Sequence, residues 1–137
     1  MVPHHTDLLE NNIHVDKETG QITGICDWKD TKIGPFGLSL WNLETMFGIS
    51  TWKNGWVYHA NQQEFREAFW NSFWDVMGDV SDEQRELIKT AALVGLFVDS
   101  AFTWVDDENK ALVGEGHEGL RFVDMAMPKL VEPKGKQ

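Results

Sequence analysis

Apolar and polar positions alternate near the start of the chain. Ile13, His14 and Val15 read in, out, in, while Ile22 and Ile25 bound a second short β-branched run, so residues 13–16 and 21–26 are expected as strands. Lys17, Glu18, Thr19 and Gly20 supply the loop between them, with Gly near its end, and the pair reads as a hairpin. Residues 31–40, with Gly34-Pro35 and Gly37, read as a loop, and Leu40–Phe47 as a short helix stopped by Gly48. Residues 51–60 look irregular around an Asn54-Gly55 turn. From there the period changes to that of a helix. Phe65, Phe69, Phe73 and Met77 recur every fourth residue over 61–77, beside Trp70 and Trp74, and Gly78 ends the run. Ser81 and Gln84 have the spacing of a capping box, which opens a helix whose stripe runs from Leu87 to Val105. Leu93, Val94, Leu96 and Phe97 fill its other faces, so its middle is expected to be buried all round. A last helix over residues 117–127 should stop at Pro128, and residues 131–137 should fray.

Composition narrows the classes. The 137 residues suffice for one core, and no repeat or low-complexity tract divides them. Seven Trp and eight Phe imply an aromatic-rich core, unless some rings belong to a partner surface. A net charge of −10 with no basic stripe argues against nucleic acid and leaves a cationic or metal-chelated ligand favoured. Cys26 stands alone, so no disulfide can form within the chain, which suits a reducing compartment. The longest apolar run, residues 91–98, is far too short to span a bilayer, and a soluble, cytoplasmic protein with no membrane partner is expected.

The chemistry gathers around the first hairpin. Asp7, Asn12 and Asp27 flank it, and strands of similar length bring Asn12 and Asp27 to the same open end. An amide oxygen and a carboxylate converging there suit a hard cation such as Mg²⁺, and Asp7 just upstream could accept a proton from a nucleophile. An EF-hand reading of Asp16, Glu18 and Gly20 fails on the glycine and on the missing twelfth-position Glu. A transition-metal site of His4, His5 and Asp7 has the right ligand types at an unusual spacing. Either Asp7 or Asn12 alone would read as a turn or cap residue. Together with His5 and Asp27 they match the kinase catalytic loop, H-x-D-x-x-x-x-N, followed after a hairpin by a metal-holding Asp.

His5-Thr6-Asp7-Leu8-Leu9-Glu10-Asn11-Asn12, then Ile13, Val15 and Asp16, then Gly24-Ile25-Cys26-Asp27-Trp28, resemble the aminoglycoside phosphotransferase and choline kinase-like family. The resemblance covers residues 4–43, with Gly34-Pro35 downstream where that family often carries a similar loop. It implies a protein kinase-like fold of the α+β class, mostly helical, with a catalytic-loop hairpin followed by a helical bundle. It further implies Asp7 as catalytic base, His5 as a scaffold residue of the loop, and Asn12 and Asp27 as ligands of Mg²⁺ (or Mn²⁺). ATP or GTP would be the phosphoryl donor and a small-molecule hydroxyl the acceptor. Asp99, Asp106, Asp107, Glu108, Glu115 and Glu118 could line a pocket for a cationic substrate, as acidic helices do in relatives acting on amines, and a solvated acidic face explains them as well. Two positions depart from the family pattern. Lys29 stands where many relatives have an acidic residue, and Ser39 where relatives often place an Asp that braces the catalytic loop. Kinases of this type also carry an N-terminal lobe with a phosphate-covering loop and a Lys–Glu pair. Residues 1–130 are therefore expected to be a C-terminal catalytic lobe lacking that partner, as a fragment, a truncated gene model or a remnant, and to be inactive alone. The competing expectation is a non-catalytic binding or scaffold domain.

Overall fold

A computed structural model describes residues 1–106 and 109–130 of the chain. The fold is α+β, with four two-stranded antiparallel ribbons wrapped around helices. Strand β1 (Val2–His4) pairs with β4 (Lys32–Gly34), and between them lies the expected hairpin of β2 (Ile13–Val15) and β3 (Ile22–Ile25). A 3-10 helix, Leu40–Phe47, leads into β5 (Gly48–Thr51) and β6 (Gly55–Tyr58). Helices α1 (Gln62–Met77) and α2 (Asp82–Ser100) follow, then β7 (Phe102–Trp104) with β8 (Lys110–Leu112), and finally α3 (Glu118–Leu130). No helix among the described residues is long and apolar enough to cross a membrane.

The β2–β3 turn shows why that hairpin was legible. Asp16 Oδ1 accepts from the Glu18 and Thr19 N–H groups at 3.0 and 2.8 Å and from the Thr19 hydroxyl at 2.9 Å. Those bonds hold the Asp16 carboxyl below its ordinary pKa, and Gly20, at φ 72°, takes the left-handed position that closes the loop. Helix α2 begins as expected. Gln84 N–H donates to Ser81 Oγ at 3.2 Å, and Ser81 N–H donates back to Gln84 Oε1 at 2.9 Å.

Other expectations need correction. Residues 31–40 are not all loop, because β4 pairs with β1, and Pro3 in so short a strand hid the partner. Residues 51–60 contain most of the β5–β6 ribbon rather than irregular chain, with Ile49 opposite Val57 across the Asn54-Gly55 turn. Helix α2 stops at Ser100 instead of reaching Val105, since a short apolar run fits strand and helix periods alike and pairing with β8 decides it. Pro128 lies inside α3. It removes one backbone donor near the helix end, and burial of Ala126 and Leu130 carries the last turn through. Two hairpins stand between the helices in chain order, and α2 packs chiefly on α3 and on the 3-10 helix, which α1 also touches. The frayed tail expected at residues 131–137 lies outside the described residues.

The core is small and lies between α2, α3 and the 3-10 helix. Trp41, Leu96, Val123, Ala126 and Leu130 form it, with Leu93 and Phe122 packed against its edge. Gly95 lets the 3-10 segment approach. A Cβ there would collide with the Leu38 carbonyl oxygen and stand 2.7 Å from Trp41 Cδ1. Only one face of α2 is covered, contrary to expectation: Leu87, Val94 and Val98 are about half exposed or more. The aromatic residues also divide. Trp70 is buried in a run of rings with Phe69, Phe73 and Trp74, whereas Phe65 and Trp52 face solvent. Beneath the β5–β6 ribbon, Glu44 and Arg66 form a fork-to-fork ion pair with bonds of 2.8 and 2.7 Å, and Tyr58 Oη donates to Glu44 Oε2 at 3.2 Å.

Candidate active site

Residues 5–12 form a loop between β1 and β2. Leu9 N–H donates to the Asp7 carbonyl at 2.9 Å, and Asn12 N–H to the Leu9 carbonyl at 3.0 Å, winding the chain through a 3-10 turn at Glu10–Asn12. Two buried side chains organise this loop from within.

The first is His5. Its Nδ1 accepts from the Asp7 backbone N–H at 3.1 Å, so the ring proton resides on Nε2, which donates to the Cys26 carbonyl at 2.7 Å. The neutral imidazole thus ties the loop to the residue before Asp27. Trp28 backs it edge-on at 4.8 Å, and the Trp28 indole N–H donates to the Ile25 carbonyl at 2.8 Å. This disposes of the transition-metal alternative, because both ring nitrogens of His5 are engaged within the fold. Its neighbour His4 has its imidazole pKa pushed down by burial, and by the Lys32 charge.

The second is Asn12. Its Nδ2 donates to the Asp7 carbonyl at 2.8 Å and to Asp7 Oδ2 at 3.2 Å. Both partners only accept, so the NH₂ end must face Asp7 and Oδ1 must face away. Asn12 Oδ1 has only long contacts, 3.4 Å from Asn11 Nδ2 and 3.9 Å from Cys26 Sγ. Across the hairpin, Cys26 N–H donates to the Asn12 carbonyl at 2.9 Å. Asp27 comes one residue later.

Asp27 is the non-glycine residue with positive φ, at 61°, among the described residues. That conformation costs roughly 1–2 kcal/mol, least for Asn and Asp. Its carboxylate makes no hydrogen bond or ion pair with another described residue, and neither does Asp7 Oδ1. The structure therefore joins His5, Asp7 and Asn12 by direct hydrogen bonds. It places Asp27 beside them through Cys26, without side-chain contact.

Ser39, a departure from the family pattern, proves to belong here, since its Oγ donates to the His5 carbonyl at 2.7 Å. Sequence reasoning had no signal for the direction of that bond. Asp99 also joins the neighbourhood. Crowding around its carboxyl raises the Asp99 pKa although part of the residue is open to solvent; Lys110 opposes the rise and the negative charge of Asp7 adds to it. Asp99 lines a cleft of about 1220 Å³ between the β5–β6 ribbon, the end of α2 and the start of α3. Glu118 and Asp124 join it there, with Trp41, Trp56, Phe102 and Phe122 supplying rings, and Lys53 and Arg121 also on the wall. The acidic residues considered together in the sequence thus separate. Asp99 and Glu118 reach the cleft, Asp106 bonds Asn109 N–H at 2.8 Å, and Asp107 and Glu108 lie outside the described residues. A second cleft of about 710 Å³ lies along α1 and α2, where Arg85 and Lys89 sit over the stacked rings of Trp74 and Trp70, and it shares no residue with the first.

Among the described residues no group of three or more His, Cys, Asp or Glu is assembled as a metal cage. At the hairpin mouth stand one amide oxygen, that of Asn12, with only long contacts, and the Asp27 carboxylate, with no hydrogen-bond partner among the described residues. That set fits Mg²⁺, which keeps waters and takes one or two carboxylates beside substrate phosphates. Compared with family models, curated proteins and solved structures, the chain matches none of them.

Proposed function

We propose that the chain carries the catalytic loop of a small-molecule phosphotransferase of the aminoglycoside phosphotransferase and choline kinase-like type, with ATP or GTP as donor. The observation that carries this reading is the loop itself. Asp7 is held by His5 at its N–H and by Asn12 at its carbonyl and Oδ2, which leaves Oδ1 without a donor among the described residues. A carboxylate fixed on one oxygen and open on the other suits the task of orienting an acceptor hydroxyl and taking its proton. Asn12 Oδ1 and the Asp27 carboxylate are the groups that would hold Mg²⁺, which when bound neutralises charge on the nucleotide phosphates. His5 acts by position, coupling the loop to the Asp27 segment. The cleft beside Asp99 is the acceptor site in this reading, and its carboxylates and rings favour a hydroxyl compound bearing a positive charge.

A second reading, a kinase-like lobe kept as a binding scaffold, is supported by the uncovered stripe of Leu87, Val94 and Val98 on α2. Magnesium titration by calorimetry separates the two. The phosphotransferase reading expects saturable Mg²⁺ or Mn²⁺ binding to the wild-type chain and its loss in Asp27→Ala. Equal binding by both proteins, or none by either, favours the scaffold.

A further inference from the structure

We infer that Ser39 is the positioning residue of the Asp7 loop, and that the loop is built around a donor at position 39, so an acidic residue there would loosen it. The inference rests on the phosphotransferase reading only for the role of Asp7. Ser39 stands at the N-cap of the 3-10 helix Leu40–Phe47, where a serine oxygen ordinarily accepts from a backbone N–H of the first turn. Here it makes no such bond. The hydroxyl is turned outward and donates to the carbonyl of His5, 34 residues away in sequence, at 2.7 Å.

The direction of that bond decides what can replace it. A carbonyl only accepts, so the group at position 39 must donate, and an ionised carboxylate has no proton to give. The bond also sits at the head of a chain of contacts. Ser39 holds the His5 backbone, the His5 ring holds Asp7 N–H at 3.1 Å and the Cys26 carbonyl at 2.7 Å, and Asp27 follows Cys26. Asn42 steadies Ser39 in turn, its Nδ2 donating to the Ser39 carbonyl at 3.0 Å. Asn42 is 1% exposed and its Oδ1 has no partner among the described residues, so it stands as a buried post rather than a solvated side chain. The 3-10 helix therefore reaches the catalytic loop through one hydroxyl.

The test is NMR on the wild-type chain and on Ser39→Ala, Ser39→Thr and Ser39→Asp. In wild type the Ser39 hydroxyl proton should exchange slowly and correlate with the His5 carbonyl, and the His5 ring should show the Nε2–H tautomer. Ser39→Thr keeps the donor and should keep both the tautomer and the protection of Asp7 N–H. Ser39→Ala and Ser39→Asp should each speed Asp7 N–H exchange by about tenfold or more while the amides of α3 hold their protection. Unchanged Asp7 exchange in Ser39→Ala, or a more protected loop in Ser39→Asp, overturns the inference. Should the alanine variant fail to fold, the wild-type hydroxyl signal decides, and its absence is equally fatal. These readouts need no metal, so a failure of Mg²⁺ binding would count against the phosphotransferase reading and leave this inference to its own result.

Discussion

Arg66→Met should be among the most damaging single changes in the chain, and the reasons are spelled out around Glu44. Glu44 is 0% exposed and meets Arg66 through two bonds of 2.8 and 2.7 Å. Burial pulls the Arg66 pKa down, and the hydrogen bonds and charge of Glu44 more than offset it, so the guanidinium is held in its charged form. Phe47 and Tyr58 flank that guanidinium, with ring centroids 5.0 and 5.8 Å from its carbon. Methionine matches the apolar stem but leaves Glu44 with only the Tyr58 hydroxyl, whose own pKa is raised by burial and then by the Glu44 charge. Stranding one member of a buried pair costs about 3–5 kcal/mol. Against a total stability of about 5–15 kcal/mol, that is a large share. With a urea slope of about 1–3 kcal/mol/M, the unfolding midpoint should fall by roughly 1–5 M. Removing both charges, in Glu44→Leu with Arg66→Met, should recover most of the loss, less about 1–3 kcal/mol for the Tyr58 hydroxyl left without its acceptor. Urea unfolding followed by circular dichroism measures all three proteins. A cost below about 1 kcal/mol for Arg66→Met, or a double variant no better than the sum of its singles, would refute the reasoning.

Three further outcomes follow from the geometry. Gly95→Ala should destabilise although alanine favours a helix by about 1 kcal/mol, because overpacking against Leu38 and Trp41 costs about 1–3 kcal/mol; thermal melting checks the sign. Asn12→Asp should replace two donated bonds with repulsion against Asp7, costing about 1–3 kcal/mol at neutral pH and relaxing as acid protonates the pair, and a flat pH dependence would show that these side chains do not touch. Asp16, with its folded pKa lowered from 3.8, contributes stability that is fully present above that value and is lost as pH falls through the folded pKa. The Glu18 and Thr19 amides should therefore lose exchange protection in that acidic window, whereas Asp16→Asn, which keeps an acceptor oxygen, should show no such titration.

The hairpin and the capped helices were legible because their determinants are local. Asp16 and Gly20 shape their own turn, and Ser81 with Gln84 cap their own helix. The β1–β4 ribbon was not legible, since its strands pair across the whole first hairpin, and the β7–β8 ribbon was hidden because the apolar run that leads into it fits a helix period as well as a strand period. The site divides in the same way. The resemblance to the kinase catalytic-loop pattern is what grouped His5, Asp7 and Asn12, and the structure adds the ring proton of His5 and the amide orientation of Asn12. The contributions of Ser39 and Asp99 depend on long-range packing, and no pattern within their own segments announces them. The uncovered face of α2 carries the same lesson, because an apolar residue signals a preference for burial without guaranteeing a neighbour.

The central claim is that the hairpin mouth is a divalent-ion site next to Asp7. Paramagnetic line broadening by Mn²⁺ in amide NMR spectra of the intact chain tests it residue by residue. The account predicts early, selective loss of the signals of Asn12, Cys26, Asp27 and Trp28, reversal by excess Mg²⁺, and no such loss in Asp27→Ala. Broadening centred instead on the acidic wall of the cleft, at Asp99, Glu118 and Asp124, or an Asp27→Ala spectrum that broadens like wild type, would contradict it.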